Sequence, residues 1–337
     1  MNQNQQLDVP VLFLTFNRLE TARKVFEQIR KQKPTQLFLE SDGPRFYKPG
    51  ESDVIHSVRK FLLDSIDWRC EVHTLFRPEN LGSGRAVSDA VTWFFDQVEY
   101  GIILEDDCLP SDSFFRYAKE LLLKYKNETS IMQLSGNNPL DISLNGTDTY
   151  YFAKIPQCWG WASWRRAWKY FSFDITVDEY KKFVHSRKFK QVFPHIEERR
   201  YWKRVFREMI NHEIDAWDYQ WEFAIAKNMG FCINPCRNLI SNIGFTKDAL
   251  HTTDLTSKSN NALRYEIGEI NHPEKIILNK EFADRISEEF FNIPIHNLGK
   301  YYLHRFYRDV LLHPAKKFVK KIIKLFYKKD NLKWKIS

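Results

Sequence analysis

The chain has 337 residues, 43% hydrophobic and 15% aromatic, with only 12 glycines; that is enough apolar surface for a large core and excludes a collagen-like or low-complexity chain. The formal net charge of +8 is confined to residues 313–337, where nine lysines accompany one acid, so the rest of the chain is neutral. No apolar run approaches the ~20 residues of a membrane-spanning helix, and the polar start MNQNQQLDVP leads us to expect no secretory signal. Five scattered cysteines, Cys70, Cys108, Cys158, Cys232 and Cys236, read as free thiols in a reducing cytoplasm, because CINPC at 232–236 has no second Cys/His pair at zinc spacing.

In chain order, the apolar run at 9–16 (VPVLFLTF) predicts a strand covered on both faces. Ala22, Val25, Phe26 and Ile29 give helical spacing over 20–31. A second strand follows at 36–40, ended by Ser41-Asp42-Gly43-Pro44, then a helix at 54–66 and a third strand at 70–76. A helix at 85–98 and a fourth strand at 101–104 complete β-α-β-α-β-α-β, the pattern of an open parallel α/β sheet. Ligands of such sheets sit at the carboxyl ends of the strands, which here carry Asn17/Arg18, Asp42 and Glu105–Asp107.

Beyond these, the pattern predicts a helix at 112–125 capped by Ser111 or Asp112, and strands at 132–135 and 151–153. A mostly helical stretch covers 178–209 with a break at Pro194, a helix covers 217–228, and short strands lie at 231–233 and 238–243. Residues 256–295 are polar and carry no clear element.

The stretch GIILEDDCLPSDSFF, 101–115, ends a buried strand in three acids. Like charges beside an apolar interior repel and lose solvation, so a cation or hydroxyl-rich ligand should meet them. One reading is Mg²⁺ or Mn²⁺ held by one or two carboxylates and a substrate's phosphates; the other is a solvated charged face.

These residues resemble those of a GT-A glycosyltransferase, N-acetylglucosaminyltransferase I and its relatives in particular, and also bacterial nucleotide-diphospho-sugar transferase-like proteins. PVLFLTFNR (10–18), LESDG (39–43), the EDD triplet, MQLSGNN (132–138), WGWASW (159–164), AWDYQW (216–221) and SNIGFTKDALHT (241–252) match that family's segments in order. The resemblance spans about 9–255 and departs from the family's WDDW at Tyr219. It implies a Rossmann-like, mainly parallel central sheet flanked by helices, with a C-terminal helical extension. Residues 1–110 would form the donor half, 111–255 the acceptor half and 256–337 the extension. It also implies Mn²⁺ or Mg²⁺ on Asp107, and donor contacts from Thr15, Arg18, Asp42, Arg85, Glu105, Asp106, Trp161 and His251. Asp218 would be the catalytic base, although by residue type alone it reads as an acid at a helix N-terminus.

Two stretches stay open. NLGSGRA, 80–86, could present backbone N–H groups to a phosphate or be a plain turn. Trp159, Trp161, Trp164 and Trp168 could stack on a sugar or fill the core. In the tail, Phe318, Val319, Ile322, Ile323, Leu325 and Phe326 recur at helical spacing opposite the lysines. That predicts either a basic amphipathic helix on an anionic membrane surface or a helix docked on the body. No nucleic-acid motif is present. The expected function is transfer from a uridine-diphosphate sugar to a surface-glycan or lipid-linked acceptor, by a cytoplasmic protein peripheral to the inner face of the membrane. The alternatives are a catalytically silent nucleotide-sugar-binding protein and a metal-dependent phosphoryl-transfer enzyme.

Overall fold

The computed structural model describes residues 6–140, 148–245, 262–296 and 299. Strands β1 (Val11–Thr15), β2 (Gln36–Ser41), β3 (Glu71–Phe76) and β4 (Tyr100–Glu105) alternate with helices α1 (Leu19–Gln32), α2 (Glu51–Asp64) and α3 (Ser83–Gln97). The four strands pair in the order β3-β2-β1-β4, all parallel. Side chains alternate faces along a strand, and the packing follows. Val11, Phe13, Leu37, Leu39, Ile102 and Leu104 enter one core with α1 and α2. Leu12, Leu14, Phe38 and Ile103 enter a second core beneath α3. Burial on both faces is why β1, β2 and β4 read as apolar runs.

The chain continues through β5 (Cys108–Pro110), α4 (Asp112–Lys124), β6 (Ile131–Ser135), β7 (Tyr150–Ala153), β8 (Trp161–Trp164) and the one-turn α5 (Arg165–Trp168). Helices α6 (Val177–Val184), α7 (Arg187–Val192), α8 (Ile196–Ile210) and α9 (Asp218–Lys227) follow, then β9 (Phe231–Pro235), β10 (Ile240–Asn242) and α10 (Lys280–Arg285), which runs into a π-helical turn at Ile286–Phe290. The sheet extends past β4 as β8-β6-β9-β7. Strands β8 and β7 run antiparallel to their neighbours, so the eight-stranded sheet is mixed, with six strands in one direction. The chain is therefore a mixed α/β protein with a large central sheet flanked by helices.

Three local features differ from the sequence reading. Strand β8 lies inside the tryptophan-rich stretch and is wholly buried, its alternation hidden because both faces are covered. The helical stretch at 178–209 breaks twice, at Pro194 and also where the Ser186 hydroxyl accepts the Phe189 N–H at 3.1 Å and starts α7. Helix α4 is capped from a distance. Glu266 accepts the N–H groups of Asp112 and Ser113 at 2.9 and 2.7 Å, while the expected cap, Ser111, faces the Ser113 hydroxyl. Residues 262–296 pack on the body: Phe282 and Ile286 are buried in a third core with α6 to α9.

Candidate functional site

Register places the site. Leu14 of β1 pairs with Glu40 of β2 on one side and with Glu105 of β4 on the other, and residues paired across adjacent strands share a face. Glu40, Leu14 and Glu105 thus form a row beneath the start of α3. Two strand spacings separate its outer Cα atoms by about 10 Å. Above the row lies a cavity of about 240 Å³, lined among others by Thr15, Arg18, Glu40, Asp42, Glu105 and Asp106. Polar residues from three strand ends therefore meet at one place.

The cation that the acid triplet requires is supplied by the chain. The guanidinium of Arg18 bridges Asp106 Oδ1 at 2.6 Å and Asp107 Oδ2 at 2.8 Å. The backbone N–H of Phe16 donates to the other Asp106 oxygen at 3.2 Å. Strand β10 pairs with β5, and Ile243 N–H donates to the Asp107 carbonyl at 2.8 Å, laying Gly244 against the Asp107–Arg18 pair. A Cβ at Gly244 would collide with Asp107 Oδ2 and stand 2.6 Å from an Arg18 nitrogen. Burial, opposed by Arg18, lifts Asp106 to about 6. Burial, with repulsion from Asp107 and Asp106, pushes Glu105 up to about 8, so that it carries a proton near neutrality.

Asp42 organises a loop. Its Oδ1 accepts the N–H groups of Gly43 and Leu81 at 2.9 and 3.0 Å, and its Oδ2 accepts the Asn80 amide at 2.7 Å. The backbone N–H of Gly84 donates to Asp215, from the α8–α9 connection, at 3.1 Å. The stretch at 80–86 therefore offers two of its backbone donors to carboxylates of the chain itself. Arg45 and Tyr47 add a rim to the cavity, with the Arg45 guanidinium over the Phe16 ring.

Asp218 is the first residue of α9, and its carboxylate accepts the Tyr219 N–H at 3.1 Å. It is close enough to Glu105 to help raise that acid. Both carboxylates act on the Cys158 thiol, which burial first and then these charges push well up.

Three sequence-predicted residues are placed elsewhere or not described. Trp161 has no exposed surface: it stacks on Trp217 at 5.3 Å and packs with Trp168 and Trp221 in the second core, a core role rather than a sugar-facing one. Trp164 and Trp168 are also buried, while Trp159 is half-buried edge-on to Phe245. Arg85 pairs with Asp174 at 3.2 Å and lies over the Phe173 ring, outside the cavity lining. His251 and the basic tail at 313–337 lie outside the described residues. Sequence reasoning missed Glu40, Asn80 and Asp215. Glu40 left a signal as the polar residue at the end of an apolar strand and Asn80 as the first residue of NLGSGRA, while Asp215 left none.

Among the described residues, no group of three or more His, Cys, Asp or Glu side chains could hold a metal ion. The carboxylates present suit the other mode, one or two protein oxygens with the remaining positions taken by substrate phosphates and water. Among the described residues, no helix is long and apolar enough to cross a membrane.

No protein-family model matches this chain, and no curated protein matches it. Solved structures resemble part of it. The mannosyltransferase PcManGT from Pyrobaculum calidifontis, in complex with GDP-Man and Mn²⁺, is 13% identical; the likeness covers 67% of this chain and 70% of that one at a TM-score of 0.37. TarS 1–349 of S. aureus is 10% identical over 47% of each chain, with a TM-score of 0.31. An apo UDP-glucose pyrophosphorylase is 8% identical over 69% of this chain and 93% of that one, with a TM-score of 0.34.

Proposed function

We propose that this chain is a metal-dependent, inverting glycosyltransferase that moves a hexosyl or N-acetylhexosaminyl group from a uridine-diphosphate sugar to a hydroxyl of a surface-glycan or lipid-linked acceptor. The observation that carries the reading is the acid row at the strand ends. Glu105 and Asp106 line a cavity with the ends of β1 and β2, and the charge of Asp218, at the start of α9, acts on Glu105. The resemblance noted above gives this geometry its chemistry. In this reading residues 1–110 form the donor half and 111–255 the acceptor half of one domain.

Asp107 would hold Mn²⁺ or Mg²⁺ together with the donor's phosphates, and the bound ion would offset charge on the leaving diphosphate. Asp106 would face the ribose while accepting the Phe16 N–H, and Arg18 would keep the two aspartates from repelling each other. Glu105, protonated by its surroundings, would donate a hydrogen bond to a donor-sugar hydroxyl. Asp218 would take the acceptor hydroxyl's proton as that oxygen bonds to the anomeric carbon. The bond from that carbon to the diphosphate oxygen breaks in the same displacement, inverting the centre. The basic tail at 313–337 would hold the enzyme against anionic lipid at the inner face of the membrane.

A second reading has its own observation. Arg18 spans both aspartates where a divalent cation would sit, which favours a catalytically silent nucleotide-sugar-binding protein. The Asp218→Asn variant separates the two. In an enzyme it retains donor binding and loses transfer and donor hydrolysis by about 10²–10⁴-fold. Loss of donor binding along with turnover removes Asp218 as the base, and a wild-type protein that binds a nucleotide sugar without turning it over is the silent protein.

A further inference from the structure

The body of the chain is neutral overall, but its charges are not evenly spread. Residues 177–210, which contain α6, α7 and α8, carry ten basic side chains against five acids. The inner sides of these helices, Phe183, Phe189, Trp202 and Phe206 among them, fill the third core, and the basic side chains are left outside. On α8, Arg200, Lys203, Arg204 and Arg207 recur at i, i+3, i+4 and i+7, one side of a helix. Lys181 and Lys182 of α6 and Arg187, Lys188 and Lys190 of α7 are exposed. Contacts draw the three helices together: the Tyr180 hydroxyl donates to the Lys203 carbonyl at 3.0 Å, and Lys203 Nζ lies over the Phe189 ring at 6.0 Å. The acids do not cancel this charge. Glu198 is buried against Lys154, Glu179 pairs with Lys227 outside the three helices, and Glu197 and Glu208 pair with Arg200 and Arg204. Arg199 donates to the carbonyls of Phe193 and Pro194. Among the described residues, the other seven basic side chains have no carboxylate partner, and Asp178 is left to oppose them.

We infer that the outer face of α6, α7 and α8 is a docking surface for an anionic phospholipid bilayer, distinct from the basic tail. The docking does not depend on the reaction. Its use, which is to hold the Asp218 end of the site toward a lipid-linked acceptor, rests on the proposed function.

Charge complementarity supports this first. A lysine or arginine held near an anionic leaflet strengthens partitioning about fivefold, and charges spread across the outer sides of three helices suit a surface better than a single polymer strand. The apolar residues among them support it second. Ile196, 50% exposed, stands four residues before Arg200, and Val177, 50% exposed, stands four before Lys181. On α8 and α6 the basic side thus begins with an exposed apolar residue on the same face, a combination that suits the headgroup boundary of a bilayer and that a soluble polyanion has no use for. Position supports it third. Helix α8 leads through residues 211–217 into α9, whose first residue is Asp218. The two helices pack in the third core, and the charge of Asp218 acts on Tyr201 of α8. A body lying on α6, α7 and α8 therefore holds that end of the site near the headgroups.

Co-sedimentation with phosphatidylcholine vesicles, with and without phosphatidylglycerol, tests the assignment. The parent protein is the full chain with the nine tail lysines replaced by glutamine, so that the tail does not mask the face. It should bind only the vesicles that contain phosphatidylglycerol, and less as salt rises. Adding Lys181→Gln, Lys188→Gln and Arg207→Gln should weaken binding by about a hundredfold. Lys24→Gln, Lys31→Gln and Lys60→Gln, on α1 and α2, remove the same charge elsewhere and should leave binding nearly unchanged. A parent that does not bind, a first triple variant that binds as well as the parent, or an equal loss in the second would each overturn the inference. So would tighter binding to inorganic polyphosphate than to the vesicles at equal phosphate concentration, which would give the face to a soluble polyanion. Each of these results leaves nucleotide-sugar binding, measured separately by titration, as it stands. Absence of nucleotide-sugar binding would instead remove the proposed function and leave the docking surface in place.

Discussion

The Asp215 carboxylate accepts the backbone N–H of Gly84 at 3.1 Å across 131 positions of sequence. This contact ties the α8–α9 connection to the first turn of α3, and it explains two glycines. A Cβ at Gly84 would stand 2.7 Å from Asp215 Oδ1, and one at Gly82, which has φ +81°, would stand 3.0 Å from Oδ2. The glycines of NLGSGRA make room for a carboxylate of the same chain, three residues before Asp218.

Removing that carboxylate in Asp215→Ala should cost about 1 kcal/mol, the usual worth of an anionic group capping a helix N-terminus. Amide hydrogen exchange should accelerate at Gly84 and around residues 211–217. Unchanged protection at Gly84 would show that the contact contributes nothing to holding the two segments together.

Arg18 faces two buried aspartates and is itself only partly exposed. Arg18→Gln leaves those charges without their counterion. Loss of a partner from a buried pair is costly; discounting for the solvent that reaches Arg18, about 1–3 kcal/mol should be lost. Mn²⁺ should restore part of it by replacing the missing positive charge. Chemical denaturation with and without the ion measures both effects, and wild-type stability in the variant would contradict this account of the acid triplet.

Strands β1, β2 and β4 were legible because each is apolar on both faces, and the helices because each keeps its apolar spacing; β3, at the sheet edge, is largely exposed. The strand-end location of Arg18, Asp42 and the acid triplet followed from that. What the sequence could not convey was partner choice. Nothing local distinguishes an Arg18 that meets a ligand from one that meets Asp106 and Asp107, nor an Asp42 open to a donor from one committed to Asn80 and Leu81. Trp161 was open between sugar and core until the surrounding tryptophans were placed. Glu266 capping α4 and Asp215 reaching Gly84 are long-range pairings that no window of sequence contains.

Glu51 offers a pH test away from the acids of the cavity. Its carboxylate pairs with Arg45 and accepts the Asn17 amide at 2.8 Å and the Arg45 N–H at 2.9 Å. The bonds from Arg45 foremost draw it down to about 2 from an ordinary 4.5. An acid depressed in the folded state contributes stability above its unfolded pKa and loses it as pH falls through the folded one. The wild type should therefore lose stability between about pH 4.5 and 2 in part through Glu51. Glu51→Gln should be less stable than wild type above that window and should show a shallower decline within it. Parallel curves for the two proteins would contradict the assignment.

Gly244→Ala places a methyl group against Asp107 Oδ2 and close to Arg18. Overpacking of this kind costs about 1–3 kcal/mol, and here it should also displace the Arg18 guanidinium from Asp107. Denaturant melts of the variant should show the loss; a wild-type midpoint would mean that the 240–244 segment does not press on the acid pair in solution.

If the acids at the end of β4 hold a divalent ion together with a nucleotide sugar, a thermal-shift series reads it out. Wild type and Asp107→Asn would each be melted with a panel of nucleotide sugars, with and without Mn²⁺, since a ligand that binds the native state raises its melting temperature. The account predicts a Mn²⁺-dependent rise with one uridine-diphosphate sugar that disappears in Asp107→Asn while the unliganded variant still melts cooperatively. No rise with any nucleotide sugar in the wild type, or a rise that survives loss of Asp107, would contradict it.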